Sequence, residues 1–120
     1  MSDGSWRLKM KRDSNRYATS ILQDDVGERC FLCNREGIEL VRHEIFEGVG
    51  RREKCKEFGL WVTLCVNCHS RVHSNPAGKD AKFLDEYAER EALATYDWTI
   101  KDFIREFGKN YIDFGEGGEP

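Results

Sequence analysis

The sequence lacks any apolar run approaching the roughly 20 residues that cross a bilayer. It also lacks an export signal, because its first residues are polar and charged with no apolar stretch. A membrane protein and a secreted one are therefore not expected. The expectation is a cytoplasmic protein (host cytoplasm if phage-encoded), kept reduced. Positive charge is not in excess: the net charge is −3, so no global field draws nucleic acid. Repeats and long low-complexity segments are missing, which argues against a solenoid. Apolar residues make up only 39% of the 120 and charged ones 34%, with a mean hydropathy of −0.68. Such a chain forms one domain with a modest core. Domains of that kind often need a metal or disulfides to offset chain entropy.

The cysteines meet that need. Cys30 and Cys33 are two residues apart, as are Cys65 and Cys68, and 31 residues separate the pairs. In a reducing compartment two Cys-x-x-Cys pairs read as metal ligands or a redox pair. Four thiolates from two chain segments suit a tetrahedral structural zinc ion. Cys65-Val66-Asn67-Cys68-His69 also spells the string of covalent haem attachment, but that chemistry needs export. A thioredoxin-type pair would need a βαβ context that the sequence lacks. A mixed site of Cys30, Cys33, His69 and His73 would leave Cys65 and Cys68 idle. Cys55 is the odd thiol, read as free and within a basic loop.

Residues 1–26 read as a basic N-terminal arm (Arg7, Lys9, Lys11, Arg12, Arg16), with a short ordered piece at Tyr17–Leu22. Residues 27–78 form a zinc-stabilised core. In it Ile38–His43 and Leu60–Leu64 are strand-like, and Gly48 and Gly50 punctuate a basic loop. A short helix starts near Cys68 and ends at Asn75-Pro76. Residues 79–120 form a helical cover and a frayed tail. Leu84, Tyr87, Ala88 and Ala92, then Ile100, Phe103, Ile104 and Phe107, recur at helical spacing. Thr99 with Asp102 can cap the second of these helices, and Gly108 suits its end. The fold class is α+β.

A second constellation shares the core. His69 and His73 stand at i and i+4, on one face of a helix. The dyad His43-Glu44 ends the first strand. A strand ending in such a dyad, a second strand, then Cys-x-x-Cys-His and a further His resembles the HNH endonucleases. The stretches Arg42-His43-Glu44-Ile45-Phe46-Glu47-Gly48, Arg51-Arg52-Glu53-Lys54 and Phe58–Cys65 are similar to small HNH proteins often encoded by bacteriophages. The resemblance covers roughly residues 28–112. It implies a small treble-clef-like ββα-metal core with a four-cysteine zinc and C-terminal helices.

It also implies an activity: hydrolysis of DNA phosphodiesters, by nicking or double-strand cleavage. A catalytic divalent ion, Mg2+ or Mn2+, would be held by His69, His73 and Glu44. His43, Glu44 and His69 would form the catalytic set. Arg51, Arg52 and Lys54, read from their own chemistry, either grip DNA phosphates or only solvate a loop. The family dyad is usually Asp-His or His-His, and its middle Asn has no counterpart before Leu64-Cys65. Either His43 is the general base, favoured by an ordinary pKa of about 6.5, or it is a ligand and Glu44 is the base. A homodimer or a phage accessory role is compatible with so small a domain. The rival reading is a non-catalytic zinc module that binds nucleic acid or protein.

Overall fold

The computed structural model of the chain describes residues 16–48 and 50–113. Arg7, Lys9, Lys11 and Arg12 of the basic arm, and the Gly115–Pro120 tail, lie outside the described residues. The α+β class is what is found: a two-stranded antiparallel sheet, four helices and a cluster of four cysteines. In order these are β1 (Leu40–Glu44), α1 (Arg51–Phe58), β2 (Trp61–Cys65), α2 (Val66–Ser74), α3 (Lys79–Tyr96) and α4 (Ile100–Phe107). None of these helices is long and apolar enough to cross a membrane.

The register pairs Leu40 with Cys65, His43 with Val62 and Glu44 with Trp61. Every residue of β2 is buried, so both faces of this short sheet are covered. One face carries Glu44 and Trp61 and meets the segment Tyr17–Gln23. The Trp61 indole donates to Ala18 O at 2.8 Å, and Ser20 donates to Trp61 O at 2.6 Å. Buried Gln23 accepts from Thr63 N at 2.8 Å and donates to Arg29 O at 3.0 Å, tying this segment to the strand and to the first cysteine turn. The opposite face carries His43 and meets α2, the helix that follows β2.

The expected basic loop is a helix instead. Arg, Lys and Glu are good helix formers, and Cys55 is the side that α1 buries. Gly50, with φ near 85°, turns the chain into the helix, and Gly59, with φ near 74°, ends it in the left-handed region. Cys55 therefore belongs to the core rather than to a loop. Its thiol donates to Phe46 O and accepts from Phe46 N. β1 starts two residues later than expected and leaves Ile38 exposed.

The two C-terminal helices form as their spacing predicts. Thr99 and Asp102 make a reciprocal capping box at the start of α4, and Gly108 ends it in the left-handed region; such a cap contributes about 1 kcal/mol. Phe103 and Phe107 are fully buried against Phe46, while Ile104 is left partly exposed. The Tyr96 hydroxyl donates to Phe58 O at 2.6 Å. These contacts seat the cover on α1 and on Phe46, just past the end of β1.

Candidate metal centres

The first centre is built from two similar turns. Cys33 N donates to Cys30 Sγ at 3.5 Å, and Cys68 N donates to Cys65 Sγ at 3.4 Å. In each, the second cysteine's amide faces the first cysteine's sulfur. Asn34, in the left-handed region, closes the first turn, with its N–H donating to Cys30 O. Cys65 is also the N-cap of α2, so the same sulfur closes the second turn and starts the helix. Arg71, one turn on, reaches Cys68 Sγ at 3.5 Å.

All four sulfurs lie within 4.8 Å of one another. Cys33 and Cys65 are 3.8 Å apart, which matches the edge of a tetrahedron of roughly 3.8 Å that follows from Zn–S bonds of about 2.3 Å. The titration of the cluster fits as well. Burial raises the Cys30 thiol, but amides of Cys33, Cys65 and Leu32 more than reverse that and lower its pKa. Cys68 is driven the other way, first by burial and then by hydrogen bonds with neighbouring thiols. Four thiols this close cannot all ionise without a cation between them. Cys30, Cys33, Cys65 and Cys68 can hold a metal ion, consistent with structural zinc.

The second centre joins His43 of β1 to His69 and His73 of α2. Their nitrogens also lie within 4.8 Å of one another. The facing Nε2 atoms of His69 and His73 are 3.0 Å apart, close to the roughly 3.3 Å edge expected for tetrahedral Zn–N bonds of about 2.0–2.1 Å. His43 is 3% exposed and meets both rings edge-on, with centroids 5.3 and 5.4 Å away. Burial first, then the facing charges of His69, His73 and Arg52, lower its pKa to about 3. It is therefore neutral at physiological pH, a lone-pair donor. His69 is lowered too, by burial and His73, with Glu44 and Glu47 opposing.

Three imidazoles together suit a borderline first-row transition ion better than Mg2+, which prefers oxygen donors. Glu44, expected in this set, is outside it. Strand alternation turns it to the other face, where the Tyr17 hydroxyl donates to its Oε2. The carboxylate that does reach the trio is Glu47. Its Oε2 lies 2.9 Å from His73 Nδ1. A proton held there leaves Nε2 free to face His69, the usual way a carboxylate orients a metal-binding histidine. Neither Tyr17 nor Glu47 stood out in the sequence; the signal available was a carboxylate three residues past the strand end.

A cavity of about 200 Å³ opens beside His43, with Glu47, Arg51, Asp85 and Tyr111 among its walls. Of the basic residues expected to hold DNA, Arg51 lines this cavity and Arg52 is near enough to depress the His43 pKa. Lys54 faces elsewhere and is ion-paired with Glu106 of α4. Asn67 lies exposed in the first turn of α2.

Comparison with family models, with curated proteins and with solved structures finds no match to this chain.

Proposed function

We propose that this protein is a zinc-stabilised, metal-dependent endonuclease of the HNH type, hydrolysing DNA phosphodiester bonds. The observation that carries the reading is the trio of His43, His69 and His73, gathered from a strand and the helix after it, beside a cavity with an arginine in its wall. The residue resemblance described above supports the same reading. A non-catalytic zinc module would account for the four cysteines equally well, but it gives the three histidines no work.

In this reading His43, His69 and His73 hold the second ion. A divalent ion bound there would supply Lewis-acid stabilisation of the phosphate and the leaving oxygen. Each protein group then has a distinct task. Glu47 keeps His73 in the tautomer that points Nε2 inward. His43, buried and neutral, contributes its lone pair as a ligand rather than as a base, because so low a pKa makes it a weak proton acceptor. Glu44, turned to the far side of the strand and held there by the Tyr17 hydroxyl, is not placed to take a proton from water at the trio. Arg51 and Arg52 offset phosphate charge at the mouth of the site.

The test is cleavage of supercoiled plasmid with Mn2+, Ni2+, Zn2+ or Mg2+, alongside calorimetric binding of the second ion. Metal-dependent nicking is expected for the natural protein. His43→Ala should lose both nicking and the second ion. Glu44→Gln should keep the ion and most of the rate, because strand alternation turns Glu44 away from the trio. Folded, zinc-bound protein that cuts nothing with any of these ions would sink the enzyme reading in favour of the module.

A further inference from the structure

A groove of about 570 Å³ runs between the first turns of α3 and the segment 109–113. It shares Pro76, Asp85 and Tyr111 with the cavity beside His43, so the two adjoin across these residues. Phe83 stands on its wall, 51% exposed. The ring is held from behind: it stacks on Tyr87 with centroids 5.7 Å apart and planes 15° apart, and on Phe31 at 6.5 Å and 20°. An exposed phenylalanine is unremarkable alone. One braced by two aromatic rings inside a groove is a flat, fixed platform.

Charge points the same way. Lys79, Lys82 and Lys109 line this groove. Two of the acids beside them are partly offset. Glu86 is gripped by Arg90 at 2.7 and 3.0 Å. Burial raises Asp85 to a pKa of about 7, with Lys109 opposing and Glu47 assisting. Asp113 lines the groove as well.

We propose that the groove holds a single strand of nucleic acid that continues from the three-histidine site, with one base stacked on Phe83 and phosphates against Lys82 and Lys109. A braced aromatic face with neighbouring lysines is how proteins bind unpaired bases without reading sequence. A duplex offers the groove only base edges, because its faces are already stacked. The proposal rests on the reading that a phosphodiester occupies the histidine trio. It adds that the strand is unpaired on one side of that phosphodiester.

The experiment is fluorescence anisotropy with the full, zinc-loaded chain at low salt. The probes are a short labelled single-stranded DNA and the same sequence as a duplex, with no other divalent ion added, so that binding is read without cleavage. Phe83→Ala should weaken single-strand binding about ten-fold, within the range for one stacked base, and leave duplex binding unchanged. Phe83→Trp should restore it. Lys82→Ala should reduce the salt slope by about 0.7, one phosphate contact on a single strand. Matching melting temperatures show that the variants fold. Single-strand binding that is absent, indifferent to Phe83→Ala, or lost equally for duplex overturns the proposal. Plasmid nicking separates it from the enzyme reading. Nicking with Phe83-independent binding removes the groove alone. Phe83-dependent binding without nicking removes the nuclease and leaves the groove as a binding surface.

Discussion

His43 and Glu44 are neighbours, yet one is sealed among imidazoles and the other holds a tyrosine on the far side of the strand. Side chains on a strand alternate between faces, so a dyad ending a buried strand cannot send both members to one ion without distorting it. Glu47 lies beyond the strand end, where that constraint is gone, and it reaches His73. Glu47→Gln is therefore expected to weaken binding of the second ion by about 10–100-fold, as loss of a carboxylate behind a metal-binding histidine does. It should leave the zinc content and melting temperature unchanged, because Glu47 is exposed. Titration calorimetry with Zn2+ or Ni2+ on the zinc-loaded protein reads the effect, and unchanged affinity would show that the 2.9 Å contact has no orienting role. At this scale the ligands were legible and their supports were not. Cysteine pairs and an i, i+4 histidine pair declare themselves by spacing. Tyr17 and Glu47 are ordinary residue types, and their partners lie 27 and 26 positions away.

Among the elements, α1 is the one that spacing did not disclose. Its apolar content is thin, Cys55 and Phe58 among charges, so it has no stripe to read. Its existence depends on the glycines at its ends and on what it packs against. The helix ends at Gly59, and the backbone there lies against the N-terminal segment, with Ile21 N donating to Gly59 O at 2.9 Å. A Cβ on Gly59 would meet Thr19 O at 2.3 Å, whereas one on Gly37, also left-handed, would meet nothing within 4 Å. Gly37→Ala should therefore cost only the conformational strain, about 1 kcal/mol. Gly59→Ala should cost at least about twice that, since segment 16–23 must also move away from β2. Urea midpoints with equal m-values decide it, and equal losses at both sites would mean that the close approach is not kept in solution. By contrast α3 and α4 were legible because each has an apolar period, and α4 also carries its capping box and terminal glycine in sequence.

For the molecule as a whole, the question is whether the cysteine site and the helical cover fold as one unit. Cys30, Cys65 and Cys68 belong to the same buried cluster as Leu84, Phe103 and Phe107. No second core among the described residues would survive if the first opened. Joining Cys33 to Cys65 through a metal closes a loop of 31 intervening residues, and losing that closure returns its entropy to the unfolded chain. Chelation at neutral pH should then unfold the sheet and the cover together. Two tryptophans report on the two parts: Trp61 lies in β2 against Tyr17, and Trp98 packs between Phe58 and Phe103 beyond the end of α3. In variants keeping one of these tryptophans each, both should lose their buried emission at the same chelator concentration, in step with zinc release. Cys65→Ser should reproduce the unfolded spectrum without chelator. If Trp98 stayed buried while Trp61 became exposed, α3 and α4 would be a separate folding unit. The histidine trio would then depend on the cysteine site for its rigidity, because His69 and His73 stand on the helix that Cys65 caps.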